Sequence, residues 1–236
     1  MSSDRIQSFG LEDFDVDGAV QETFSRLPGH TRAGFLRRAA GAGAALAGAF
    51  ALRPGTAAAS AGASSGDIAI LNYALSLEYL QASFYTEAER IGALHGELAH
   101  QAQVVGGHER DHVKAFRAVL GSAAIKQPSF DFHGVTASPD AFRSTAVAFE
   151  DLATAAYKGQ APNIQSNTYL AAALAVHSVE ARHAAWIRRL AGFLPAAKAF
   201  DDPLDAPHVI DIVNSTHFVT LQAPATSART SPGFTG

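Results

Sequence analysis

The sequence predicts an all-α fold, a four-helix bundle with one long crossover. Three observations predict it. From residue 67 to 194 the chain lacks strand alternation and is rich in Ala, Leu, Glu, Gln and Arg. Its helix boundaries fall in a short, long, short order of connections. Two of the helices carry the same polar pair at the same point of an otherwise apolar seam.

Ser65 or Asp67 can cap a first helix, expected over 67–91 and stopped by Gly92. A second is expected over 96–120, before Gly121. Residues 121–137 hold Gln-Pro, His-Gly and scattered aromatics, and read as the non-helical crossover. Ser138-Pro139-Asp140 is a cap followed by proline in the first turn, opening a third helix over 139–158. Ala161-Pro162-Asn163 opens the fourth, expected over 164–194. The tail, 195–236, reads as loose. Within it Pro207 opens a short helix through Asn214, and the last dozen residues look disordered.

Residues 1–59 are a different kind of sequence. After a polar, mildly acidic stretch come Arg32, Arg37 and Arg38, an uncharged run over 39–52, and the small-residue sites Ala57-Ala58-Ala59 and Ala59-Ser60-Ala61. Basic flank, short apolar run and small-residue site read as an export leader. A run of fourteen residues is short for a membrane span, so no stable span is expected after processing. Thr31, Arg32, Phe35, Leu36 and Arg37 resemble a twin-arginine signal. Ala33 stands where its second arginine belongs, so the general secretory route stays open. The protein is expected to be periplasmic, in the cell envelope or secreted. The remaining residues suffice for one core, 60–194.

Composition removes whole classes of chemistry. There are no cysteines, hence no disulfide, thiolate nucleophile, zinc ribbon or iron–sulfur cluster. A net charge of −4 offers no basic surface for nucleic acid. Any metal must therefore rest on His, Asp or Glu.

The inward faces locate such residues. In the second helix, Leu98, Ala102, Val105, Glu109, His112, Phe116 and Val119 follow steps of four and three. In the fourth, Tyr169, Ala173, Val176, Glu180, His183, Ile187 and Leu190 repeat the same offsets. The first helix places Glu78 on the seam of Ile68, Leu71, Leu75, Ala82 and Tyr85. The third matches it locally: Glu150 has Tyr157 seven residues on, as Glu78 has Tyr85. Its apolar stripe, Phe142, Ala146, Phe149 and Ala153, runs beside Glu150 rather than through it. The unit "Glu helix, then Glu-x-x-His helix" thus occurs twice.

A carboxylate in an apolar seam is unfavourable unless paired or coordinated. Four of them with two histidines need a common explanation, and divalent cations supply one. Glu and His three apart share a helix face, so two such pairs plus two bridging-capable Glu give two metals six protein side chains. Oxygen donors with imidazole and no sulfur suit iron or manganese.

These residues resemble the ferritin-like di-metal carboxylate superfamily, whose ligand pattern is a known one. Leu77-Glu78-Tyr79-Leu80, Phe84-Tyr85, His108-Glu109-x-x-His112 and Phe149-Glu150-Asp151 resemble its bacterial ferritin-like domain related to desiccation-related proteins. The resemblance implies Glu78 and Glu150 as single-Glu ligands and Glu109/His112 and Glu180/His183 as the paired ones. It implies two iron ions, with manganese as the alternative, and oxidoreductase or ferroxidase-type chemistry on oxygen or peroxide in stress protection. A homo-oligomer is compatible with it.

Rival readings stand beside this one. The acids could be surface charges and the histidines satisfied core residues. A metal-stabilised structural stress protein would use the same ligands without turnover. His108-Glu109-Arg110-Asp111-His112 also fits the zinc-peptidase pattern His-Glu-x-x-His. That reading leaves Glu78, Glu150, Glu180 and His183 unexplained, and Val179 is the counterpart of His108. His108 is expected at the edge of the face, in a supporting or surface role. His177 reads the same way. Tyr85 and Tyr157 read as packing aromatics that could hydrogen-bond a ligand, and Trp186 as interface filler.

Overall fold

The structure, a computed structural model, describes residues 64–224. The leader expectation, residues 1–59, and the last dozen residues lie outside the described ones. Helix α1 spans Ser65–Ile91, α2 Gly96–Leu120, α3 Pro139–Gln160, α4 Asn167–Leu190 and α5 Ala206–Ser215. Among the described residues there is no strand, and no helix is long and apolar enough to cross a membrane.

Local chemistry sets the boundaries. The side chains of Ser64, Ser138, Ser166 and Asp205 accept backbone N–H bonds at the starts of α1, α3, α4 and α5. Gly92 ends α1 at φ 71°, a left-handed cap that suits glycine. The fourth helix differs from its expected span at both ends. Residues 161–163 form a separate 3-10 turn, Ile164 is extended, and the Ser166 cap starts α4 at Asn167. Pro162 sits in the first turn of the 3-10 segment, so it opens that turn and not the helix. At the other end Gly192, at φ 82°, follows Leu190, where α4 stops.

Helices α1 and α2 pack together, as do α3 and α4, and α1 lies beside α3 and α2 beside α4. Every side of α1 is covered in its middle: all residues from 73 to 82 are buried. Where α2 passes α1 the backbones come close. A Cβ at Gly106 would lie 2.9 Å from the Tyr85 Cβ, so glycine is required there.

The crossover is held at several points. Asn72 accepts from the Ile125 N–H at 2.8 Å and donates to the Ala123 carbonyl at 2.9 Å. Thr136, fully buried, donates to Glu87 at 2.5 Å. Phe132 meets Phe84 edge-on at 5.5 Å, and Phe84 stacks on Phe142 at 4.8 Å. This aromatic cluster caps one end of the bundle core.

The tail is not loose over 195–224. The strap after α4 crosses α3 at Gly159, where a Cβ would lie 1.9 Å from the Leu204 carbonyl oxygen, and the Leu204 N–H bonds the Ala155 carbonyl at 3.0 Å. Helix α5 then buries Ala206, Val209, Ile210 and Val213 in the same core as Phe142, Ala146 and Phe149. The α3 stripe beside Glu150 is therefore the seat of α5, which leaves Glu150 facing the bundle.

Candidate metal centre

Glu78, Glu109, Glu150 and Glu180 are all fully buried, and His183 nearly so. All six side chains singled out from the sequence converge in mid-bundle. They form two groups that could each hold a cation: Glu78, Glu109, His112 and Glu180, and Glu109, Glu150, Glu180 and His183. Within each group the ligating atoms lie within 4.8 Å of one another. Glu109 and Glu180 belong to both. Glu78 and Glu150 each belong to one group and stand at the two ends. The reason is geometric: α2 and α4 face each other directly, so Glu109 and Glu180 reach the shared centre.

The contacts repeat reciprocally because the helix pairs are antiparallel. His112 Nδ1 lies 3.2 Å from Glu180 Oε1, and His183 Nδ1 lies 3.0 Å from Glu109 Oε1. Each histidine thus meets the glutamate of the opposite pair. His112 Nδ1 also lies 3.1 Å from Glu78 Oε2, and His183 Nδ1 3.5 Å from Glu150 Oε2. The tyrosines behave alike. Tyr85 donates to Glu150 Oε1 at 2.6 Å, and Tyr157 donates to Glu78 Oε1. The seven-residue interval from glutamate to tyrosine on α1 and α3 gives this exchange, since in an antiparallel pair each tyrosine comes level with the other helix's glutamate. They are more than packing aromatics.

Hydrogen bonding cannot satisfy the centre. Each Nδ1 faces three carboxylates, and one N–H aligns with one acceptor. Both oxygens of Glu109, Oε2 of Glu150, Oε1 of Glu180 and Nδ1 of His183 have no aligned hydrogen-bond partner. Burial pushes the Glu109 carboxyl well above the usual range, with Glu180 and Glu78 adding to it. Burial pushes Glu150 up to about 7, against the pull of His183. For Glu180 burial acts upward too, but the close imidazoles of His112 and His183 outweigh it and hold the carboxyl down to about 2. Burial would lower His183, yet Glu109, Glu150 and Glu180 push it up to about 12. His112 is raised in the same way, burial opposing and Glu78, Glu109 and Glu180 prevailing. Burial, then the carboxylate each one bonds, raises both tyrosines, so their hydroxyls stay protonated donors.

Four carboxyl side chains, three of them with unaligned oxygens, facing two imidazole nitrogens and no sulfur, fit hard or borderline divalent cations. The donor set fits the group that the resemblance implies.

Three contributors lie beyond the six and the two tyrosines. Gln81 Nε2 donates to Glu180 Oε2 at 3.5 Å. Gln101, fully buried, lies beside the Tyr85 hydroxyl. A polar residue three positions after Glu78 on its own helix was the available signal for Gln81. The third is His108, at the edge of the face as expected. Its Nδ1 lies 2.9 Å from His183 Nε2, and it joins neither cation group. The structure therefore separates His108 from His112, which a zinc-peptidase site would need together. His177 is half-buried and also joins neither group. Trp186 packs against the core and meets His100 edge-on at 5.7 Å.

A family model described as a ferritin-like domain matches residues 66–192, more than half of the chain. No curated protein matches it.

Proposed function

We infer the function from one premise: the chain belongs to the ferritin-like domain family. The six side chains would hold two divalent cations, iron or manganese. Glu78 and His112 complete one site, Glu150 and His183 the other, and Glu109 and Glu180 serve both. The observation that carries this reading is the set of fully buried carboxylate oxygens with no aligned donor. Such groups are unfavourable in a core unless a cation takes the place of the missing donors.

Bound there, the ions supply one-electron redox chemistry toward oxygen or peroxide. The protein's own groups do the rest. Tyr85 and Tyr157 fix the outer carboxylates Glu150 and Glu78 by donating to one oxygen of each, leaving the other for a cation. Gln81 steadies Glu180. The buried aromatic cluster around Phe84 packs beside Tyr85, which bonds Glu150.

The role proposed is an exported ferroxidase-type or peroxide-consuming protein in stress protection, with residues 1–59 as its leader. Mass spectrometry of protein from its native host should then find a start near Ser60 or Gly62, and an intact start at Ser2 in soluble cytoplasm would remove export. For the centre, elemental analysis of purified protein should give two irons or manganeses per chain, and anaerobic ferrous protein should consume peroxide or oxygen. Two ions with no turnover would leave a metal-stabilised structural protein. One zinc would remove the reading altogether.

A further inference from the structure

The pseudo-symmetry of the centre is broken at one point. His183 presents Nδ1 to the carboxylates and its other nitrogen, Nε2, to His108 Nδ1 at 2.9 Å. The ring planes are 16° apart and the centroids 5.2 Å. With the nitrogens that close and the centroids that far, the two rings meet edge to edge, so an N–H of one can point along the lone pair of the other. On the opposite side, the position equivalent to His108 is Val179, which offers His112 no acceptor.

We propose that His108 is a positioning residue for His183: it accepts the Nε2–H and so turns the Nδ1 lone pair toward Glu109, Glu150 and Glu180. The inference rests on the two-cation reading above. A neutral imidazole has one N–H and one lone pair. If the lone pair is to face a cation among the carboxylates, the proton must be on Nε2. The His183 side chain is only 4% exposed, so water is a poor partner for that proton. His108 is the partner at hand. It is exposed, so its own outward N–H reaches solvent. A ligating histidine whose second nitrogen is so held has its tautomer and ring orientation fixed, and losing the outer partner typically weakens metal binding about 10–100-fold. His112 lacks this support and its side chain is 14% exposed. The two cation sites should therefore differ in affinity, with the His183 site depending on His108.

Three variants separate the acceptor from the ring. His108→Ala removes both. His108→Phe keeps a ring without an acceptor. His108→Asn places an amide oxygen near the position of Nδ1. Manganese(II) is titrated into each full chain and free ion is counted by electron paramagnetic resonance. Native protein should bind two ions. The Ala and Phe variants should keep one ion at native affinity and weaken the other about 10–100-fold, while Asn stays close to native. Nitrogen NMR of the zinc(II)-loaded protein should place the His183 ring proton on Nε2 in native and Asn protein, and lose that preference in Ala and Phe. Native affinity for both ions in the Ala or Phe variant overturns the inference. So does an equal loss of both ions with a lower melting temperature of the metal-free protein, the mark of a packing role. If native protein binds no ion, the cation reading itself fails and this inference with it.

Discussion

The two halves of the bundle carry the same ligands but not the same surroundings. On the His112 side, Glu78 is held by Tyr157, and the imidazole is partly open to solvent. On the His183 side, Glu150 is held by Tyr85, the imidazole is buried, and His108 stands behind it. The side chains that could hold a cation and the tyrosines that bond them are duplicated, and the neighbour behind the imidazole is not. The glutamates and tyrosines repeat because one helical unit, Glu helix then Glu-x-x-His helix, recurs with its spacing kept. The support diverges where the sequence does, at His108 against Val179. A further lesson lies in the exchanged tyrosines: each half is completed by the other, so neither is a self-sufficient site.

The largest effect that tests this comparison separates shared from end carboxylates. Glu109→Gln or Glu180→Gln should reduce bound metal from two per chain toward none. Glu78→Gln or Glu150→Gln should leave about one, since each end glutamate serves one group. Elemental analysis reads the count. The metal-free variants add a second discrimination. Burial disfavours the Glu109 charge, so Glu109→Gln should melt at or above native. Glu180 is held ionised by both imidazoles, so Glu180→Gln leaves their charge uncompensated and should melt lower. Equal loss of metal from all four would erase the distinction between shared and end positions.

Next in size is an opposition in pH dependence. Glu150 has its folded pKa raised to about 7, so its contribution favours folding at low pH and is lost as pH rises from the usual carboxylate range through 7. His183, raised to about 12, contributes fully below the usual histidine pKa and is lost as pH rises from there toward 12. Glu180, held down to about 2, contributes above the usual carboxylate range and loses its effect only as pH falls toward 2. Between pH 5 and 8 the first two govern, so metal-free protein should melt lower as pH rises. One pKa unit on one group is about 1.4 kcal/mol, or about 3–6 °C for a domain of this size. The stabilisation by added manganese should change the other way, rising over the same interval as protons cease to compete for the ligands. Thermal melts with and without metal check both slopes, and parallel slopes would mean that metal and protons do not share these groups.

The tyrosine exchange gives a smaller effect with an unusual address. Tyr85→Phe, on the first half, should weaken the ion on the His183 side, and Tyr157→Phe, on the second, the ion on the His112 side. A hydrogen bond to a charged group is worth about 1.5–3 kcal/mol, so each change should weaken its ion about 10- to 100-fold. Manganese titration checks it. If Tyr85→Phe acts on the His112 side instead, the halves are independent and the pairing read from the structure is wrong.

Much of this was legible in the sequence, for a physical reason. The seams on α2 and α4 face one another across the bundle axis, so helical spacing alone marked Glu109, His112, Glu180 and His183. Helix α3 was harder to read. Its stripe Phe142, Ala146 and Phe149 points beside Glu150, because it packs against both Phe84 of α1 and α5, a partner from beyond the bundle. The reach of the tyrosines, the shared position of Glu109 and Glu180, and the contact of His108 with His183 depend on which helices lie opposite and in which direction. Spacing along one helix cannot carry that information.

The smallest prediction uses that same helix. Asp151 follows Glu150 directly, and one residue turns the side chain by about 100° around the helix. Glu150 is therefore sealed in the bundle, while Asp151 is half-buried and pairs with Arg188 Nη1 at 2.6 Å on the outside of α3 and α4. That pair is charge-assisted but open to water, where such bridges contribute about 0–1 kcal/mol. Asp151→Asn should lower the melting temperature by no more than about 4 °C and leave bound metal at the native count. Glu150→Gln, one position away, should remove about one ion and remove burial's penalty on a charged group with it. Adjacent acids with opposite outcomes would show that the comparison of halves rests on the inward face alone. Metal loss in Asp151→Asn would instead place the α3–α4 surface pair within the support of the His183 side.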